Sequence, residues 1–165
     1  MIIYLAGPDI FRPDVEAWAE SARALCHRYG FEPLLPIDHG ETEAARIFEA
    51  NVAMIRGAQA VVANLDPFRG AEPDSGTAFE LGYAMALGKM VRGYVTRFDS
   101  VARRAELAEG RPNLLSPAGI LADSRGMRIE NFGLPCNLML AIPAAVVEGG
   151  LEACLRSIRT NVAES

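Results

Sequence analysis

The sequence predicts a single α/β domain spanning residues 1–165, with a doubly wound, flavodoxin-like sheet of about five parallel strands and helices on both faces. Three observations predict it. Short apolar runs such as IIYLA and AVVANL are continuous, not alternating, as strands buried on both faces must be. Stretches with apolar residues at helical spacing separate them. Gly and Pro punctuate the boundaries. Strands and helices that alternate in this way, joined by right-handed crossovers, give a Rossmann-like sheet.

The elements follow in order. Ile2–Ala6 is a buried strand that ends in Gly7-Pro8. Residues 14–29 read as a helix on the spacing of Val15, Trp18, Ala22, Leu25 and Cys26, with Gly30 as its terminator. Phe31–Leu35 is a second strand, closed by Pro36. Residues 43–56 carry Ala44, Ile47, Phe48, Val52 and Ile55 on one stripe and read as helix. Residues 60–65 are a third strand, 66–74 a loop rich in Pro, Gly and charge, 75–88 a helix and 90–96 a fourth strand. Residues 99–109 read as a surface helix. The Pro/Gly-punctuated stretch 111–133 has no clear period. Residues 144–147 read as a fifth strand and 150–161 as a final helix. No repeat or low-complexity segment interrupts this order.

Bulk properties narrow the function. The 165 residues are 50% hydrophobic and 22% charged, an ordinary globular balance. Sixteen basic and 21 acidic side chains give 16 − 21 = −5. No basic stripe is present, which argues against nucleic acid as a partner. Cys26, Cys136 and Cys154 are scattered and odd in number, so neither a disulfide frame nor a zinc site is expected, and the thiols read as small buried hydrophobes. The opening MIIYLAGPDIF lacks the basic flank and cleavage site of a leader and is too short to span a bilayer. The expectation is a cytoplasmic protein with no membrane association, no metal and no cofactor.

In doubly wound sheets ligands bind beyond the carboxyl ends of the strands. That rule places Gly7–Phe11 and residues 66–80 on one rim. Glu80 lies in the second turn of its helix, shares a face with Thr77, Ala84 and Leu87, and has apolar neighbours with no basic residue before Lys89. It is either a solvent-facing glutamate favoured by the helix dipole or a site carboxylate; the rim position, Gly76 and the apolar flanks favour the site. Asp74 is delivered to the start of the same helix. Two carboxyls in different environments suit cleavage of an N-glycosidic bond. One stabilises or bonds to the cationic anomeric carbon, and the other handles the departing base. Tyr4, Phe11 and Phe68 are candidates for an aromatic slot, and Tyr4 is as readily a core strand residue whose hydroxyl finds a partner.

Three blocks, YLAGPDIF, ANLDPFRGAEPDSGTAFELGYA and FGLPCNLML, resemble the nucleoside 2-deoxyribosyltransferases, and most closely the kinetoplastid and bacterial branch of that family. The resemblance covers most of the chain. It implies that Glu80 is the nucleophile that carries the deoxyribosyl group, that Asp74 contacts substrate near the leaving base and sugar, and that Tyr4 orients the nucleophile. It implies that Asn137 and Met139 reach into a neighbouring subunit's pocket, hence a homo-oligomer, and that the substrates are 2′-deoxynucleosides and free nucleobases, purines among them. Many relatives carry an aspartate where Asn51 stands. Asparagine cannot serve as a general acid, so the proton for the base comes from Asp74, from water or from another acid. Asn51 is either a base contact or an exposed helix residue.

Other positions stay open. Gly7 and Asp9 are rim candidates for substrate binding, and Asp9 is alternatively a helix cap. Arg69 and Gly70 form a candidate lid or a solvated loop. Asp38-His39 reads as a surface turn. Two alternative functions are carried. One is a hydrolase of deoxynucleosides or their 5′-monophosphates, disfavoured because Asp9 stands where a phosphate cradle is needed. The stretch SGTAFE is similar to the GGxGTxxE signature of phosphoribohydrolases but lacks the paired glycines. The other is a nucleoside-binding module without turnover.

Overall fold

The computed structural model describes residues 1–163. Its central sheet is parallel throughout and has five strands. These are β1 (Ile2–Ala6), β2 (Glu32–Leu34), β3 (Ala60–Asn64), β4 (Met90–Val95) and, after the short hairpin strands β5 (Leu114–Leu115) and β6 (Leu121–Ala122), β7 (Val147–Glu148). The order is β2-β1-β3-β4-β7. The chain steps outward from β1 to β2, then returns past β1 to β3. The crevice where the order reverses therefore opens between the carboxyl ends of β1 and β3.

Six α-helices cover the sheet: α1 (Val15–Arg28), α2 (Ala44–Gly57), α3 (Ser75–Ala86), α4 (Val101–Glu109), α5 (Leu138–Ala144) and α6 (Gly150–Ala163). A 3-10 turn, Pro8–Phe11, follows β1. Alternate strand residues feed two cores, as a pleated sheet buried on both faces requires. Tyr4, Ala6, Val61, Ala63, Val91 and Val95 pack with Ile55 of α2, Leu81 and Ala84 of α3, and Ala141 and Ala144 of α5. Ile3, Leu5, Ala60, Val62 and Tyr94 pack with Ala19, Ala22 and Cys26 of α1 and with Cys154, Leu155 and Ile158 of α6. All three cysteines are free and buried. Gly93 belongs to the first face, where a Cβ would lie 2.6 Å from Leu65 Cδ1 and 3.1 Å from Ala144 Cβ; the absent side chain lets α5 settle on β4.

The expected fold is present, and its differences lie in the last third. Residues 138–144, which carried no helical expectation, form α5 with Pro143 in its last turn. The Asn137 side chain caps this helix by accepting from the Met139 N–H at 3.0 Å. Ala144 is thus helical, and the fifth sheet strand is confined to Val147–Glu148. The undecided stretch 111–133 holds the β5–β6 hairpin. The helix read as a surface element, α4, buries Arg104 to 3% exposure. Its Nη1 donates to the Leu65 carbonyl at 2.8 Å, and that carbonyl lies just beyond β3, out of the ladder. No helix among the described residues is long and apolar enough to cross a membrane.

Candidate active site

Tyr4 is in the middle of β1 and is wholly buried, with its ring in the α2/α3-side core. Its hydroxyl emerges beneath α3 and donates to Glu80 Oε1 at 2.5 Å. Tyr4 is therefore the core strand residue whose hydroxyl finds a partner, and its buried ring lines no aromatic slot. Burial pushes the Glu80 carboxyl up from 4.5 to about 7, and the nearby charge of Asp74 adds to the rise. The Tyr4 hydrogen bond opposes both, because it favours the ionised form. Tyr4 itself is raised by burial first and then by the Glu80 charge and hydrogen bond, so it stays a proton donor throughout the working range.

Asp74 starts α3 as its N-cap. Its Oδ2 accepts from the Thr77 N–H at 2.9 Å and from Thr77 Oγ1 at 3.1 Å. This cap fixes the carboxylate six residues before Glu80 and leaves the Thr77 side chain buried beneath it. The pair Asp74 and Glu80 therefore lies on one end of one helix, set by local sequence, while Tyr4 joins them through the tertiary fold.

The first rim loop runs from Gly7 to Phe11. Asp9 Oδ2 accepts from Asn64 Nδ2 at 2.8 Å, and Asp9 Oδ1 lies 3.9 Å from the Arg12 guanidinium. Asp9 therefore caps no helix with its side chain; the residue at the start of α1 is Asp14. The Phe11 and Phe68 rings stack with centroids 5.4 Å apart and planes 13° from parallel. The Arg69 guanidinium lies 4.7 Å from the Phe68 centroid and 5.3 Å from that of Phe11. Arg69 holds this place at φ +54°, a left-handed backbone for a non-glycine residue. The two rim loops thus meet in an aromatic pair roofed by a cation. Pro8, Asp9, Phe11, Arg12 and Phe68 line a cleft of about 230 Å³ beside it. Two larger cavities, about 440 and 540 Å³, lie against α4; they touch Asn137 and Asp66 respectively but not Glu80.

Asn137 and Met139 make no hydrogen bond to Tyr4, Asp74 or Glu80 among the described residues. Asn137 Nδ2 donates to Glu130 Oε1 at 2.7 Å, its backbone N–H donates to Glu72 Oε2 at 3.4 Å, and the Leu138 N–H donates to Glu130 Oε2 at 3.0 Å. Met139 is 66% exposed, as is Ile142 one turn on. Asn51 sits on α2, and its Oδ1 is buried with no hydrogen-bond partner among the described residues. It is not the exposed helix residue that was one of its two readings.

Sequence reasoning missed four residues that shape this region: Asn64, Thr77, Arg104 and Glu130. Thr77 was legible in principle, since an Asp three residues before a Thr at a helix start is a capping pattern. Asn64 and Arg104 act through contacts distant in sequence, and Glu130 reaches across an irregular turn to Asn137 and Leu138; none leaves a periodic signal.

The family model described as nucleoside 2-deoxyribosyltransferase matches residues 3–139. A solved 2-deoxyribosyltransferase of Leishmania mexicana is 40% identical, with 96% of this chain and 97% of that one covered and a TM-score of 0.78. A 2-deoxyribosyltransferase of Bacillus psychrosaccharolyticus shares the fold at 23% identity and a TM-score of 0.51, over 61% of this chain and 76% of that one. An uncharacterised protein of Schizosaccharomyces pombe is 28% identical over 155 residues, 83% of this chain and 74% of its own length.

Proposed function

The chain belongs to the nucleoside 2-deoxyribosyltransferase family and is an enzyme of that kind, and we propose that it exchanges nucleobases on 2′-deoxynucleosides through a deoxyribosyl-Glu80 intermediate with net retention. The single observation that carries the reading is the buried Tyr4–Glu80 hydrogen bond at 2.5 Å, beside a second carboxylate at the head of the same helix. Ionised Glu80 attacks the anomeric carbon as the bond to the first base breaks; the base departs with the bonding electron pair and takes a proton. The second base then attacks the same carbon from the face the first one left and gives up its N–H proton, which balances the proton taken by the first, and Glu80 is released as carboxylate. Two inversions give retention. Tyr4 aims the attacking oxygen, and its hydrogen bond keeps part of the carboxylate's charge stabilised while water is excluded.

Asp74, held as acceptor by Thr77, is assigned in this reading to the sugar and the base edge. Phe11 and Phe68 offer apolar faces to the base. Asn51 of α2, whose Oδ1 has no hydrogen-bond partner among the described residues, is assigned to the base. It takes a hydrogen bond from the base and does not protonate it.

Purine bases and a cytoplasmic setting belong to the same proposal, and so does a homo-oligomer in which Asn137 and Met139 complete a neighbour's site. The exposure of Met139 and Ile142 on α5, and of Phe79 and Met85 on the adjoining α3, supports the oligomer.

The test is incubation with 2′-deoxyinosine with and without adenine, with Glu80→Ala in parallel. The expected product is 2′-deoxyadenosine, absent with the variant. Hypoxanthine without new nucleoside would replace transfer by hydrolysis. No product from purine or pyrimidine donors would overturn the reading.

A further inference from the structure

β1 and β3 run side by side with Ala6 opposite Ala63. The next residues, Gly7 and Asn64, are pressed together where both strands reach the rim: a Cβ on Gly7 would lie 2.8 Å from Asn64 Cβ. Asn64 is 8% exposed, and its amide is used in both senses. Nδ2 donates to Asp9 Oδ2 at 2.8 Å, and Oδ1 accepts from the Asp66 N–H at 3.0 Å. Asp66 in turn accepts from Thr96 N–H at 2.8 Å and Thr96 Oγ1 at 2.6 Å. A continuous chain of polar contacts, Asp9–Asn64–Asp66–Thr96, therefore crosses the carboxyl ends of β1, β3 and β4. Two loops leave from this chain. One carries Phe11. The other carries Phe68, Arg69 and Asp74.

We infer that Asn64 is a positioning residue that locks the two rim loops in register, and that Asp9 is its partner in this lock and not a contact of the substrate. The inference rests on the proposed base exchange and deepens it. Asp9 is an acceptor already engaged by a buried amide donor, with Arg12 on its other oxygen. Gly7 is glycine because the lock requires Asn64 at that spot. The Phe11–Phe68 stack and the approach of Asp74 to the α3 end of the site are then set by one amide that touches no substrate. A misplacement of about 1 Å in such a frame costs roughly hundredfold in rate.

The experiment is a swap. Asp9→Asn keeps an acceptor for Asn64 Nδ2 while its amide nitrogen replaces the oxygen facing Arg12, so base exchange falls far less than in Asn64→Asp. Asn64→Asp sets two carboxylates face to face and lowers kcat/KM roughly hundredfold, mostly in kcat. The double variant Asn64→Asp with Asp9→Asn rebuilds the bond with donor and acceptor exchanged, and recovers about tenfold or more. All are assayed at a temperature where circular dichroism shows them folded.

A loss in Asp9→Asn as deep as in Asn64→Asp would overturn the inference, because the carboxylate would then act on substrate itself. So would a double variant no better than Asn64→Asp, or wild-type activity in Asn64→Asp. Amide hydrogen exchange decides the question without activity. Asn64→Ala speeds exchange at the Asp66 amide and in the turn closed by Arg12, and unchanged exchange at either overturns the lock. A wild-type chain that exchanges no bases would overturn the proposed function, and the exchange measurement would still decide the lock.

Discussion

Replacing Glu80 with Gln removes a charge the fold resists while keeping the shape of the side chain and an acceptor for the Tyr4 hydroxyl. The folded carboxyl sits at about 7 against an ordinary 4.5. The gap of about 2.5, at about 1.36 kcal/mol per pKa unit, corresponds to about 3 kcal/mol. Water near the half-buried carboxylate screens part of it, so about 2 kcal/mol is expected. The sign follows from proton binding. Below about pH 4.5 Glu80 is protonated in both folded and unfolded chains and costs nothing extra. Between about 4.5 and 7 the unfolded chain ionises first, so wild-type stability falls with rising pH. Above about 7 both forms are ionised and the deficit is complete. Urea unfolding of wild type and Glu80→Gln at pH 4.5, 6 and 8 measures this. The variant matches wild type at the lowest pH and is more stable by about 2 kcal/mol at the highest, while its base exchange is abolished. Equal stability at pH 8, or a difference that does not grow with pH, would refute burial as the cause of the raised carboxyl.

Tyr4→Phe removes a hydrogen bond that favours ionised Glu80, so the acid limb of the kcat/KM profile moves upward in pH from about 7, and the rate at neutral pH falls roughly 10- to 100-fold, the worth of a bond to a charged group. Asp74→Ala moves that limb the other way, since the Asp74 charge helps to raise Glu80; it also removes a helix cap, which costs about 1 kcal/mol in thermal or urea unfolding. Opposite displacements of the two limbs are the diagnostic, and parallel ones would count against the assignment of causes. Arg69→Ala unroofs the Phe11–Phe68 pair, so free-base release without an acceptor rises relative to transfer with one; a constant ratio would remove Arg69 from water exclusion.

The sheet was legible because strands buried on both faces announce themselves as short apolar runs between helical stripes, and β1, β3 and β4 fall within a residue of where those runs place them. The rim placement of Glu80 and Asp74 followed from topology and the α3 cap. What was not legible is tertiary in origin. α5 is seven residues with a proline in its last turn, too short and too interrupted for its period to show. Arg104 looked like a surface cation of an amphipathic helix, yet it is drawn inward to satisfy the carbonyl of Leu65. Asn64 fell inside the third strand with no role of its own. Its role depends on which residue of β1 lies opposite, a register that no local pattern encodes. The Tyr4–Glu80 bond spans 76 residues, and only the packing of α3 on β1 decides that the hydroxyl and the carboxylate meet.

On the proposed mechanism, the raised carboxyl and the catalytic use of Glu80 are one physical quantity. An ionised Glu80 is costly in the empty site because burial takes water from it, and the Tyr4 hydroxyl returns only part of what hydration supplied. A sugar that develops positive charge at the anomeric carbon supplies the missing counter-charge at the moment the base departs. The interaction is therefore stronger in the transition state than in the ground state, which is the condition for raising kcat and not merely tightening binding. With its carboxyl raised to about 7, part of Glu80 is protonated at neutral pH. The ionised part is a carboxylate whose poor solvation stays uncompensated until the glycosidic bond begins to break. A fully solvated glutamate at the same place would always be ionised, and it would gain far less from meeting the cation.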